Sequence, residues 1–335
     1  MVCRDQRASC NGQKCPLEWE GHCDHTLGVV KVILSRPRGF CAGVERAIEV
    51  VLKALEKFGS PVYVRHEIVH NRVVVEDLQA KGAIFVGSLE DVPTGSHVIF
   101  SAHGVAPVVK TEADRLDLIA IDATCPLVTK VHMEARHFSS AGNTILLIGH
   151  QDHVEVVGVK GEAPDNTIVV FGEEEASRVE VPDPNKVAVL TQTTLSLEEA
   201  ALTLNVLRKR FPNLKTPRKE DICYATTNRQ LAVKGINGQV DLWLVIGDKT
   251  SSNSNRLREI GADSGVPAHL IIDETKIRTD WLEGVQSVGV TSGASTPEVS
   301  VQSVIYRLRE LGASDVEEVD GVPESVEFQL PAEVR

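Results

Sequence analysis

The chain has 335 residues, enough for two or three compact domains with a sizeable core. Hydrophobic residues make up 42% and charged residues 24%, a globular composition; aromatics are only 4%, so Val, Ile, Leu and Ala must build the core. The formal net charge of −12 argues against a general nucleic-acid or anionic-membrane binder and leaves a small anionic ligand open.

Residues 1–28 carry Cys3, Cys10, Cys15 and Cys23, with His22 and His25, and show no helical or strand period. They read as a Cys-rich extension without fixed structure, with a second metal or redox-responsive site as the alternative. They contain no apolar stretch of the signal-peptide kind, and no run in the chain approaches the roughly 18–20 residues of a membrane span, so a cytoplasmic protein is expected. Seven cysteines are an odd number for a disulfide framework. Metal, redox or catalytic roles gain weight.

From Val29 the pattern changes. Short apolar, β-branched runs occur at 29–34, 61–64, 83–86, 97–101, 118–122, 144–148, 167–171, 186–191, 241–246, 268–272 and 287–291. Runs apolar throughout suit strands buried on both faces, as in parallel sheets. Between them, Val44, Ala47, Ile48, Val51, Leu52, Leu55 and Phe58 follow helical spacing, and Gly59 closes that helix. Further helices are expected near 128–140, 197–211, 228–236, 254–264 and 297–311. The alternation predicts an α/β protein with right-handed crossovers. Three pseudo-repeated units with short, mostly parallel sheets are expected at 29–125, 126–219 and 220–307, with 308–335 packing back on the first.

Each unit has a cysteine where a helix begins: Cys41 in GFCAGVERAI, Cys125 in DATCPLVTKVH and Cys223 in EDICYATTNRQ. Helix N-termini carry free N–H groups and partial positive charge, which stabilise thiolates. Three converging thiolates could hold an iron–sulfur cluster with one iron open. Three inert, buried cysteines are the alternative. Zinc is weaker, because neither CxxC nor HExxH appears.

Polar residues follow several strands: His66, His70 and Asn71; Ser101 and His103; His150, His153 and Glu155; Thr191 to Thr194; Ser251 to Asn255; Thr291 to Ser295. Ligands of open α/β sheets bind beyond the carboxyl ends of strands. This donor set suits a phosphate or diphosphate. Each histidine alone reads equally well as structural, and Ser251 to Asn253 as a helix cap. No P-loop or strand-following GxGxxG is present, so nucleotide binding loses support. Glu155, placed in a loop after 144–148, reads on its own as an exposed glutamate. If buried, it could serve as a proton donor.

Together with VRHEIVHN, FSAHGV, TQTTLS, SSNSNRL and TSGAS, these stretches resemble the LytB/IspH family of 4-hydroxy-3-methylbut-2-enyl diphosphate reductases from about Val29 to Leu311. The resemblance implies three α/β units around a central [4Fe–4S] cluster with three ligands, Cys41, Cys125 and Cys223, and an open iron. It implies diphosphate contacts from His70, His103, His153, Ser251, Ser252, Asn253 and Ser295, with Thr193 beside the substrate hydroxyl. It assigns Glu155 to proton delivery. The implied reaction is reductive dehydroxylation to isopentenyl and dimethylallyl diphosphate, the last step of the non-mevalonate isoprenoid pathway. Flavodoxin or ferredoxin would donate electrons to a monomer or dimer. The stretch 152–159, DHVEVVGV, departs from the family's GHPEVEGT at Asp152, Val154, Val157 and Val159. That departure keeps open a non-catalytic iron–sulfur redox sensor or a divergent paralogue.

Overall fold

The computed structural model describes residues 30–335. The extension and its four cysteines lie outside the described residues. The chain starts with β1 (Val30–Ser35) and α1 (Ala42–Phe58). Then come β2 (Val62–Arg65), α2 (Arg72–Ala80), β3 (Ala83–Val86), β4 (His97–Phe100), α3 (Pro107–Arg115) and β5 (Ile119–Asp122). After α4 (Pro126–Ser140) follow β6 (Thr144–Ile148), α5 (Val154–Lys160), β7 (Thr167–Val170), α6 (Gly172–Arg178), β8 (Val187–Thr191) and α7 (Leu197–Arg210). The last part holds α8 (Tyr224–Ile236), β9 (Leu242–Ile246), α9 (Ser252–Asp263), β10 (Ala268–Ile271), β11 (Ser287–Ser292), α10 (Glu298–Glu310) and β12 (Ala313–Val319).

The strands form three sheets, ordered β3-β2-β4-β5, β7-β6-β8 and β10-β9-β11-β1-β12. Every strand pair is parallel. Helices cover their faces, so the central strands are largely withdrawn from water. All five residues of β9, LWLVI, are buried. The composition explains this: a two-faced parallel strand accepts apolar β-branched residues at every position.

The boundaries expected from the sequence place β1 in the first unit. Instead, β1 pairs with β11 and β12 in the third sheet. It is apolar on both faces and needs a hydrogen-bonded neighbour on each side. Helix α1 goes the other way, packing Val44, Ala47, Val51 and Ala54 with Val62, Val64 and Ile121 of the first sheet. The link between them crosses from one sheet to the other and carries Cys41.

The C-terminal segment also serves both bodies. Its strand β12 forms an edge of the third sheet, with outward carboxylates paired to Lys31, Arg36 and Arg38. Its end lies along α1, where Val334 enters the first core and Arg46 and Lys57 donate to the carbonyls of Gln329 and Glu333. Among the described residues, no helix is long and apolar enough to cross a membrane.

Candidate active site

The carboxyl ends of all three sheets face one cavity. His70 follows β2, His103 follows β4, Cys125 follows β5, His153 follows β6, Thr193 follows β8, Ser251 follows β9, Ser295 follows β11, and Cys41 follows β1. Cys223 comes from a segment laid against β8, where Lys215 exchanges backbone hydrogen bonds with Val187 and Val189. The cavity holds about 110 Å³, whereas one water needs about 10–15 Å³ of the same measure. All twelve site residues expected from the sequence line it.

Five of the lining residues are helix N-caps: Cys41 of α1, Cys125 of α4, His153 of α5, Cys223 of α8 and Ser251 of α9. Five helices therefore aim their free N–H groups and positive dipole ends at this space. Among the described residues, no lysine or arginine lines it. The site attracts anions through backbone dipoles and neutral side chains.

The three thiols enter from three directions. Backbone bonds fix each cysteine: Cys41 N–H donates to Ala294 O, Cys125 N–H to Ala102 O, and Cys223 N–H to Thr193 O. Thr226 lies 3.2 Å from Cys223 Sγ. Gly43 clears the space between the first two. A Cβ there would lie 2.6 Å from Cys125 Sγ and 3.9 Å from Cys41 Sγ. Contrary to the thiolate expectation, burial raises the thiols, Cys125 to about 12 and Cys223 to about 11. Burial also raises Cys41, against the pull of Arg229. Without a cation these groups stay protonated; a metal centre would supply the charge that ionises them. The donor set thus fits a thiolate-ligated metal group. The three thiols do not close on a single-ion cage among the described residues.

The three histidines form a second wall. The His70 and His103 ring centroids lie 4.1 Å apart, and those of His70 and His153 5.6 Å apart. Burial, then the neighbouring histidines, lowers His153 to about 4 and pushes His103 well below its ordinary value. His153 Nδ1 accepts the Glu155 N–H at 3.2 Å, so the ring presents Nε2–H to the cavity. An anion there would favour the protonated rings, since opposite charges stabilise each other.

Ser251 and Ser295 are already partly committed: Ser251 caps α9, and Ser295 Oγ donates to His70 O at 2.9 Å. Ser252 Oγ donates to Thr194 O at 3.1 Å. Asn253 differs. It is 4% exposed, and neither its amide nitrogen nor its oxygen has a partner among the described residues. Buried polar groups in native proteins almost always have partners, so this pair marks a place for a polar ligand.

Glu155 is 2% exposed and lies in the first turn of α5, a correction to the exposed loop read from the sequence. One carboxylate oxygen accepts Thr193 N–H at 2.6 Å and the other accepts Thr193 Oγ1–H at 2.8 Å. Burial raises it to about 7, against the lowering effect of those two bonds. The divergent stretch leaves this arrangement intact. Val154 holds the first helical position, where proline is also tolerated. Asp152 is exposed and does not line the cavity, and Val157 is 54% exposed.

Other residues at the site were given no role of their own in the sequence reading. Arg229 is fully buried and donates to Gly39 O at 2.8 Å, just before Cys41, and to Glu324 at 3.0 Å. Tyr224 Oη accepts the Ala42 N–H, and Gln192 bridges His150 N to Thr194. Only their nearness to Cys223 and Thr193 in sequence hinted at them.

Fold and site together define an α/β protein that gathers thiols, histidines and one buried carboxylic acid at the meeting point of three parallel sheets. The family model described as LytB protein matches residues 32–309. A relative from Azoarcus sp., named 4-hydroxy-3-methylbut-2-enyl diphosphate reductase, is 52% identical over 305 residues, 91% of this chain and 98% of its own. One of the same name from Acidothermus cellulolyticus is 56% identical over 306 residues, 91% of this chain and 90% of its own. The solved E-1-hydroxy-2-methyl-but-2-enyl-4-diphosphate reductase of Plasmodium falciparum superposes with a TM-score of 0.88 at 39% identity, covering 91% of this chain and 96% of that one. The chain belongs to the LytB family.

Proposed function

We propose that the chain is a 4-hydroxy-3-methylbut-2-enyl diphosphate reductase, the terminal enzyme of the non-mevalonate pathway. The observation that carries this reading is the shared cavity, which brings three thiols, three histidines, an unpartnered Asn253 and the Glu155–Thr193 pair together. Nothing in the comparisons favours a non-catalytic sensor.

Cys41, Cys125 and Cys223 would hold one [4Fe–4S] cluster. When bound, it would supply single electrons and Lewis acidity. The protein does the rest. His70, His103, His153, Ser251, Ser252, Asn253 and Ser295 take the diphosphate, helped by the dipole of α9. This grip fixes the hydroxymethyl end toward the thiols and Thr193. In the reaction the allylic C–O bond breaks, two electrons and two protons enter, one C–H bond forms and water leaves. Glu155, protonated on the oxygen next to Thr193 Oγ1, gives up the proton that turns the leaving hydroxyl into water, with Thr193 passing it on. Protonation at either end of the allylic unit gives isopentenyl or dimethylallyl diphosphate. A flavodoxin or ferredoxin provides the electrons in the cytoplasm.

The test is an anaerobic assay of the cluster-loaded protein with reduced methyl viologen and the hydroxylated allylic diphosphate. Dye oxidation matched by both isopentenyl isomers is expected. Dehydration without dye oxidation, or no reaction, overturns the reading.

A further inference from the structure

A basic segment borders the cysteine site of this acidic protein. From Arg208 to Lys219 there are six lysines and arginines and no carboxylate. Arg208, Lys209, Lys215, Arg218 and Lys219 are exposed. None of these five has an ion-pair partner among the described residues, unlike Lys130, Lys234 and Arg256. The C-terminal dipole of α7 accounts for Arg208 and Lys209 in its last turn. It does not account for Lys215, Arg218 and Lys219, which lie beyond it.

The segment borders a groove of about 360 Å³. Leu197, Ala201 and Leu204 give it an apolar floor, Ile222 one wall, and Arg208 and Arg218 a cationic rim; two carboxylates also line it, Glu220 and Asp221, the second already paired with Lys130. Groove and cavity stand back to back. Thr191 and Ile222 line the groove, while Thr193 and Cys223 line the cavity. A single peptide bond separates Ile222 from a cysteine of the site. The wall between them is pinned: Lys130 Nζ donates to Lys219 O at 2.6 Å and pairs with Asp221 at 2.8 Å. Unpaired like charges around an apolar patch are costly to keep, and they suit a partner of opposite sign.

We propose that this groove docks an acidic one-electron carrier protein, which delivers electrons to the site across the Ile222–Cys223 segment. The proposal rests on the reductase reading, which requires two electrons per turnover. Two carriers each lose one electron, the substrate's C–O bond takes up both with two protons, and water leaves.

The test compares the cluster-loaded parent with the charge-reversed variant R208E/R218E, neither side chain of which touches the cavity. Turnover is driven either by photoreduced acidic ferredoxin or by reduced methyl viologen. At low salt the variant's KM for ferredoxin should rise about tenfold or more, and the steep salt dependence of the parent's ferredoxin rate should flatten. Dye-driven turnover should stay within about twofold. The neutralised variant K215Q/K219Q should weaken ferredoxin less, in the same direction, and covers a folding failure of the first. Equal ferredoxin KM and salt dependence in parent and variants overturns the docking site. Calorimetric binding of ferredoxin at two salt concentrations reads the same contact without turnover. Salt-sensitive binding to the parent with no dye-driven reduction would sink the reductase reading and leave the docking site standing.

Discussion

Glu155→Gln removes a proton and keeps a shape. Glutamine Oε1 can accept Thr193 N–H as the carboxylate does, and its amide can donate to a rotated Thr193 hydroxyl. Burial holds the Glu155 carboxyl at about 7, against an ordinary 4.5. The folded protein thus binds this proton more tightly than the unfolded chain. Its contribution to stability is complete below the unfolded value and is lost as pH rises through the folded one. The gap corresponds to about 3 kcal/mol. The variant should therefore be more stable than the parent by up to about 3 kcal/mol at pH 8, with no difference of that origin at pH 4. Urea unfolding of the cluster-free proteins at the two pH values measures this. In the loaded enzyme the same change should lower kcat by about 10²–10⁴, the usual contribution of a general acid. The parent's rate should fall as pH rises above about 7, because the donor form disappears. Full turnover in the variant, or a parent rate that is flat through this range, refutes the assignment of Glu155.

Thr193→Val removes the hydroxyl bond that holds Glu155 down and leaves the backbone one, so the alkaline limb of the pH–rate profile should move up by about half a pH unit or more. Gly43→Ala places a methyl 2.6 Å from Cys125 Sγ, and strain of about 1–3 kcal/mol at the ligand should show as less iron bound per chain. Glu324→Ala leaves the fully buried Arg229 without its carboxylate and should cost about 3–5 kcal/mol by thermal or denaturant unfolding, and Glu324→Gln less. Cys125→Ser should abolish most of the visible absorbance of the loaded protein, read on the same preparations as iron content.

The strands were legible because most of their residues are buried beneath helices and therefore apolar, in β6, β8 and β9 almost without interruption. Where a segment keeps one face in water, the pattern fails. β12, ASDVEEV, is not among the apolar runs, yet it is an edge strand whose charges face outward, a common protection of an open edge. Helix α5 was hidden by its four valines, which suggest strand, and His153 as a cap is a weak signal. The burial of Glu155 could not be read locally, because the groups that hold it are on Thr193, 38 residues away. The sheet membership of β1 depends on partners more than 250 residues on. The cysteines were legible for the opposite reason: each stands next to the helix it caps.

The cavity and the groove handle charge in opposite ways, and the fold explains both. Three thiolates and a diphosphate would crowd several negative charges into one space. Lysines or arginines in the cavity could offset them, but each would bring a large desolvation cost and a long side chain into a small volume. Five helix N-termini do this instead. At about half an elementary charge each, they offer roughly two and a half positive charges that are already fixed in place and need no counter-ion. Parallel sheets make this possible, because in every strand–helix unit the carboxyl end of the strand and the N-terminus of the next helix fall on the same side. A protein carrier stays outside, where water screens charge and flexible cations suffice. The unpaired lysines and arginines therefore lie on the far side of Ile222, one residue from the thiol they would serve.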